Sequence, residues 1–107
     1  MLHYAMDFED LVQDFKKRVV IEGTPILLTL LADKVYAIQD KCTHLGASLA
    51  KGEYQKGVVT CRSHGAQFNT ETGEVLEKAH IGFIKMPTKK AKTYKTMIKD
   101  KKIFIEF

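Results

Sequence analysis

The sequence has no tryptophan, only two prolines and two cysteines, and no long apolar run. Its longest apolar stretch, Pro25 to Ala32, has the length of a β-strand and is far shorter than the roughly eighteen residues of a membrane-spanning helix. Residues 1–4 also lack the charged and then apolar pattern of a secretory signal. We therefore expect neither a membrane anchor nor export, and we expect a cytoplasmic location.

The sequence also lacks low-complexity tracts, internal repeats and linkers rich in proline, glycine or serine. With 107 residues, 45% hydrophobic and 28% charged, its composition predicts one compact domain. The net charge is +4, and lysines are concentrated in the C-terminal segment. Such a surface could attract an acidic partner or simply maintain solubility. Since no aromatic residues alternate with the lysines, we expect no nucleic-acid partner.

Each cysteine is followed at short spacing by a histidine. One residue separates Cys42 from His44, two separate Cys61 from His64, and sixteen lie between His44 and Cys61. Thiolates and imidazoles are ligands for transition metals, so this arrangement predicts a metal centre. Gly52, between the pairs, could serve a loop around such a centre or be an ordinary turn glycine.

Three other interpretations of the two pairs are open on this pattern. A structural zinc site is one, although such sites usually pair cysteines with cysteines and histidines with histidines. A Cys42–Cys61 disulfide is another, but no export signal accompanies it and the cytosol keeps thiols reduced. A catalytic Cys/His pair is the third, and it leaves the second pair without a role.

Away from the pairs, the pattern is mainly that of β-structure. A short helix is expected from Asp7 to Phe15, with Asp7 as its N-cap. Gly73 is expected at a turn position with positive φ. The predicted strands cover 19–21, 26–31, 35–38, 57–60, 67–69, 74–76, 94–98 and 103–107, the last with Ile103, Ile105 and Phe107 on one face.

The segments Cys42-Thr43-His44-Leu45-Gly46 and Cys61-Arg62-Ser63-His64-Gly65 resemble the ligand motifs of Rieske iron-sulfur proteins. The strand at 35–38 and the Thr72-Gly73-Glu74 turn extend the resemblance over most of the chain. It implies one 2Fe-2S cluster with Cys42 and Cys61 on the inner iron and His44 and His64 on the outer iron. The resemblance places five further residues beside the cluster: Leu45, Gly46, Gly65, Ala66 and Phe68.

The resemblance also implies an all-β Rieske fold. We expect a basal antiparallel β-domain, about 1–40 and 82–107, with an inserted β cluster-binding subdomain at about 41–81. The sequence differs from the respiratory branch of the family, which joins the two loops by a disulfide. Here those positions are Ala47 and Ser63, and Ala66 and Phe68 replace a serine and a tyrosine that donate hydrogen bonds to the cluster. Without those donors the potential should be near the low end of the Rieske range, about −150 mV.

The nearest group by resemblance is the soluble Rieske-type ferredoxins. The implied function is one-electron transfer from a flavin-dependent or other ferredoxin reductase to a terminal oxygenase or another redox enzyme. The protein would be a component of such a system and not an enzyme itself. Three basic residues near the motif, Lys41, Lys51 and Arg62, are candidates for contact with a partner. The alternative is a Rieske-like small subunit of a larger oxidoreductase, of the nitrite reductase type.

Overall fold

A computed structural model describes residues 1–43 and 46–107. These residues form one short α-helix and one 3-10 turn, Leu49–Lys51, and no helix among them is long and apolar enough to cross a membrane. The other elements are short strands. In chain order they are β1 Leu2–Asp7, α1 Phe8–Val12, β2 Lys16–Ile21, β3 Thr24–Leu31, β4 Lys34–Gln39, β5 Glu53–Gln55, β6 Val58–Thr60, β7 Gln67–Asn69, β8 Val75–Glu77, β9 His80–Ile81, β10 Ile84–Lys85, β11 Thr93–Tyr94, β12 Thr96–Lys99 and β13 Lys102–Glu106.

The strands of the described residues form three main antiparallel sheets and one small hairpin. The first sheet has the order β11-β4-β3-β2, the second β1-β13-β12, and the third β5-β6-β7-β8. The hairpin pairs β9 with β10. The third sheet lies wholly between β4 and β9 in the sequence, so one continuous segment forms it. The predicted antiparallel β architecture is confirmed.

Strand β3 is buried on both faces, which explains its nearly continuous apolar sequence. Side chains alternate along a strand, so Ile26, Leu28 and Leu30 join one core, which also contains Ile103 and Ile105 of β13. Leu27 points the other way, into a second core. Strand β4 divides in the same manner, with Val35 and Ala37 in the first core and Ile38 in the second. The β3–β4 pair is therefore shared by two cores.

The N-terminal segment differs from the sequence prediction. Residues before the helix form β1, which pairs with β13 and was not predicted. The helix itself is confirmed but short, with Leu11 fully buried. Asp7 precedes it without making a side-chain cap. Its carboxylate instead accepts a hydrogen bond from the Tyr4 hydroxyl at 2.8 Å.

The predicted C-terminal strand 94–98 is divided at Lys95. Its first part, β11, pairs with β4, whereas its second part, β12, pairs with β13. The shared face predicted for the last strand holds for Ile103 and Ile105, which are fully buried. It is wrong for Phe107, which lies beyond β13, is exposed and stacks on Tyr94. Apolar alternation alone does not show where a strand leaves its sheet.

Gly73 has the positive φ predicted for it, +79°, and it also allows a close backbone contact. A Cβ there would lie 2.0 Å from the Ala91 carbonyl oxygen. The Ala91 N–H donates to the Gly73 carbonyl at 2.8 Å, so the two backbones are in direct contact. Gly23 is a matched reference, because its φ is +78° and a Cβ there would meet no described atom within 4 Å.

We expect Gly73→Ala to lower the free energy of unfolding by about 3 kcal/mol or more, because steric overlap adds to the cost of positive φ. Gly23→Ala should cost only about 1–2 kcal/mol, the positive-φ term alone. Urea unfolding of both variants measures the difference. Equal losses would show that the close approach at Ala91 does not constrain the backbone.

Candidate metal centre

The first Cys/His loop, residues 42–47, begins three residues after β4. The Cys42 N–H donates to the Ala47 carbonyl at 2.7 Å, and the Gly46 N–H donates to the Cys42 carbonyl at 2.8 Å. Gly46 has φ of +78°, as expected for a glycine closing a tight loop. His44 and Leu45 lie outside the described residues. We call these two backbone hydrogen bonds the frame of the loop. They fix where the loop begins and ends.

The second loop, residues 61–66, repeats this frame. The Cys61 N–H donates to the Ala66 carbonyl at 2.7 Å, and the Gly65 N–H donates to the Cys61 carbonyl at 3.1 Å. Gly65 has φ of +75°. Both loops are six residues long, start at cysteine, and end in Gly-Ala. The unequal Cys/His spacings therefore place the histidine at different positions in two equivalent loops.

Both cysteines lie against the second core. They form no disulfide with each other, and 3% of Cys42 and 2% of Cys61 are exposed. Leu27, Ile38 and Leu49 belong to the same core, as do the fully buried Ala66 and Phe68. His64 is only partly buried, although its Nδ1 atom is shielded from solvent. The second loop thus presents its thiol inward and its imidazole nearer the surface.

Gly52 serves the site through close approach rather than positive φ. Its φ is −87°, but a Cβ there would lie 1.8 Å from the Thr60 carbonyl oxygen. Thr60 immediately precedes Cys61, so Gly52 lets the 3-10 turn pack against the strand that leads into the second loop. The sequence does not show this contact, because Gly52 follows the 3-10 turn whereas Thr60 lies in β6.

A buried carboxylate anchors the chain on both sides of the first loop. Asp40 is 3% exposed and accepts hydrogen bonds from Arg18 Nε at 2.7 Å, Ser48 Oγ at 2.6 Å and the Ala50 N–H at 2.6 Å. Lys16 Nζ donates to the carbonyls of Ala50 and Gly52. Lys16 of β2 therefore holds the segment that follows the first loop directly, and Arg18 of β2 supports it through Asp40. Sequence reasoning missed Asp40, which has the appearance of a turn residue.

The segment after β8 borders both loops. The His80 N–H donates to the His64 carbonyl at 2.9 Å, and a Cβ on Gly65 would lie 2.9 Å from His80 Cε1. The His80 ring therefore covers the glycine of the second loop. At the first loop, Thr43 Oγ1 donates to the Lys89 carbonyl at 2.6 Å and accepts from the Lys89 N–H at 3.1 Å. Neither contact was predicted from the sequence.

The three basic residues near the motif are all exposed. The Lys41 side chain lies along the first loop, with its Cε 3.5 Å from the Cβ position of Gly46. Lys51 ends the 3-10 turn and Arg62 follows Cys61, and both are exposed. Their contact with a partner stays a prediction.

Two buried cysteines and two histidines occur in two loops with the same frame, which is the residue set that an iron-sulfur cluster with mixed ligands would need. Among the described residues, which exclude His44, no three His, Cys, Asp or Glu side chains gather as ligands of a single ion. The Rieske 2Fe-2S domain model matches residues 2–88. The chain belongs to the Rieske family. Its cofactor is accordingly one 2Fe-2S cluster, and the zinc interpretation is set aside.

Relatives and solved structures agree with this membership. Ferredoxin CarAc of Metapseudomonas resinovorans is 38% identical over 53 residues, which are 50% of each chain. The ferredoxin component of the naphthalene 1,2-dioxygenase system of Pseudomonas putida is 24% identical over 102 residues, 95% of this chain and 91% of that one. A chain from the complex of reduced oxygenase and oxidized ferredoxin in carbazole 1,9a-dioxygenase superposes with a TM-score of 0.81 at 25% identity, covering 97% of this chain and 91% of that one.

We expect Asp40→Ala to cost about 3–5 kcal/mol of unfolding free energy, because it leaves a guanidinium, a hydroxyl and an N–H without their shared acceptor. Ser48→Ala removes one donor and should cost only about 1 kcal/mol. Chemical denaturation of the two variants tests the role of the carboxylate. A loss for Asp40→Ala no larger than that for Ser48→Ala would contradict it.

Proposed function

We propose that this protein carries single electrons from a ferredoxin reductase, flavin-dependent or of another type, to a terminal oxygenase or similar redox enzyme. The observation that supports this most directly is the pair of equivalent loops, with buried cysteines and a more exposed His64. Relatives named as a ferredoxin and as the ferredoxin component of a dioxygenase system support the same role. The chain spans about half the length of the ferredoxin CarAc that it matches, so activity and partners are proposed here.

The proposed ligands are Cys42 and Cys61 on the inner iron and His44 and His64 on the outer iron. When bound, the cluster accepts and releases one electron. The chain's contribution is to hold the thiols within an apolar core, where they are shielded from water, and to place His64 toward the surface. Gly46 and Gly65 allow the backbone to close around the site. The outer histidine side is the proposed route for electron exchange.

Leu45, Ala66 and Phe68 are proposed to lie beside the cluster. None of these side chains has a hydroxyl group that could donate a hydrogen bond to it. Residues 41–81 are proposed as the cluster-binding part, inserted into a basal part of residues 1–40 and 82–107. Lys41, Lys51 and Arg62 are proposed contacts for the partner. A cytoplasmic location fits the proposed exchange with a reductase.

A Rieske-like small subunit of a nitrite reductase type is the alternative. All four ligand residues are present, which favours a carrier over a subunit that has lost its cluster. An isolated protein that is monomeric and takes up one electron reversibly supports the carrier. Stability only in the presence of a larger catalytic chain supports the subunit.

His64→Ala should abolish the Rieske absorption and electron paramagnetic resonance spectra, because the outer iron loses one of its two proposed protein ligands. His3→Ala is the matched control, since His3 lies in β1 and pairs with Ile105, and it should keep the spectra. Iron, labile sulfide and zinc are measured in the same preparations. Stoichiometric zinc without sulfide, or an unchanged spectrum in His64→Ala, would refute the proposed ligands.

Ala66→Ser and Phe68→Tyr should each raise the reduction potential, because a hydroxyl donor near the cluster stabilises the added electron. A charge-assisted hydrogen bond favouring the reduced state by about 1.4 kcal/mol shifts a one-electron potential by roughly 60 mV. Phe104→Tyr adds the same hydroxyl in β13 and should leave the potential unchanged. Redox titration would contradict this account if all three variants matched the starting protein, expected near about −150 mV.

A further inference from the structure

The hairpin formed by β9 and β10 exposes its apolar side chains. Ile81 is 58% exposed, Ile84 is 69% exposed, and Phe83, in the turn between them, is 103% exposed. These three residues are close in sequence, and Ile81 is paired directly with Ile84. Isolated exposed apolar residues are common on protein surfaces, but an aromatic ring between two exposed isoleucines forms a patch.

The hairpin is attached to the second Cys/His loop. Its first strand begins at His80, whose N–H donates to the His64 carbonyl and whose ring lies over Gly65. The Met86 N–H donates to the Ala79 carbonyl at 2.7 Å and extends the pairing at the base of the hairpin. With two residues in each strand, the hairpin depends on its attachment at His80 for its position. Phe83 lies three residues along the chain from this contact with the second Cys/His loop.

The segment that carries the hairpin has charge of one sign. Residues 78–92 contain five lysines and no aspartate or glutamate. Lys89 meets the first loop through Thr43, so the basic segment extends from the second loop to the first. The nearest acid in sequence, Glu77, forms an ion pair with Lys85. That hydrogen bond and charge hold the pKa of Glu77 below its ordinary value, so it remains ionised and paired.

We propose that this hairpin and its basic flanks dock an acidic redox protein, with Phe83 inserted into an apolar pocket of the partner. A fully exposed aromatic side chain surrounded by charge has the composition of an interface anchor with a polar rim. The lysines attract a partner whose pocket is bordered by carboxylates. This inference rests on the proposed function, because docking here matters only if electrons pass at this edge.

The test uses the cluster-loaded protein and oxidised flavodoxin as an acidic redox protein of known structure. Removing an anchor side chain typically costs enough to weaken binding about 30-fold, so Phe83→Ala should raise the dissociation constant by that order. Phe15→Ala is the matched control, since Phe15 is 55% exposed and lies between α1 and β2, and it should bind normally. Lys78→Glu should also weaken binding, and raising the salt concentration should weaken binding of the unmodified protein.

A second measurement separates docking from electron transfer. Reduced flavodoxin gives one electron to the oxidised cluster, and dithionite, a small reductant, does the same without a docking surface. Phe83→Ala should be reduced more slowly than the unmodified protein by flavodoxin and equally fast by dithionite. Normal dithionite reduction together with unchanged flavodoxin binding overturns the docking proposal and leaves the electron-carrier proposal intact. Loss of reversible reduction in the unmodified protein refutes the proposed function instead.

Two other partners could cover this apolar patch, and each would give a different experimental result. If Phe83→Ala converts a dimer into a monomer in analytical ultracentrifugation and flavodoxin binding is unchanged, the patch joins two copies of this chain and the proposal is wrong. If the unmodified protein binds neutral phosphatidylcholine vesicles through Phe83 and does not bind flavodoxin, the patch contacts lipid and the proposal is also wrong. A monomer that binds flavodoxin through Phe83 supports it.

Discussion

The structure depends on one constraint, that the β3–β4 pair must be covered on both faces. Leu28 and Ala37 face the first core, whereas Leu27 and Ile38 face the second. A strand pair buried on two sides cannot shift register by one residue without exchanging the two sets of side chains. Strand β4 ends shortly before Cys42, so the register that satisfies both cores also fixes the start of the first loop. Packing of the β3–β4 pair therefore determines where the first Cys/His loop starts.

Packing of the β3–β4 pair does not fix the residues that follow the first loop. Polar contacts hold those residues instead. Asp40 holds Ser48 and the Ala50 N–H, while Arg18 supplies a positive charge to the buried carboxylate. A buried carboxylate is costly unless its hydrogen bonds are satisfied, so the chain at 48–50 has one favourable position. The 3-10 turn is then close enough to Thr60 that only glycine fits at position 52. One network thus links β2, the first loop and the entry to the second loop.

The sequence predicted what depends on local pattern. The strands at 26–31 and 35–38, the positive φ of Gly73 and the family were predicted because apolar pattern, turn chemistry and motif spacing are visible in single segments. The break at Lys95 was missed because it depends on a change of partner strand, and the role of Asp40 was missed because its partners, Arg18, Ser48 and Ala50, lie in other segments of the chain. His44 and Leu45 lie outside the described residues, so their predicted roles rest on the motif.

The two loops share one hydrogen-bond frame although their Cys/His spacings differ. Each has the same two hydrogen bonds, a positive-φ glycine in the fifth position and an alanine in the sixth. The cysteine is fixed by the frame in both, because its N–H and carbonyl make those two bonds. Both bonds are made by the first, fifth and sixth residues, so the sequence can place histidine third in one loop and fourth in the other. Backbone hydrogen bonds thus hold the two cysteines in place, while the segment from 78 to 92 contacts both loops from outside the second core.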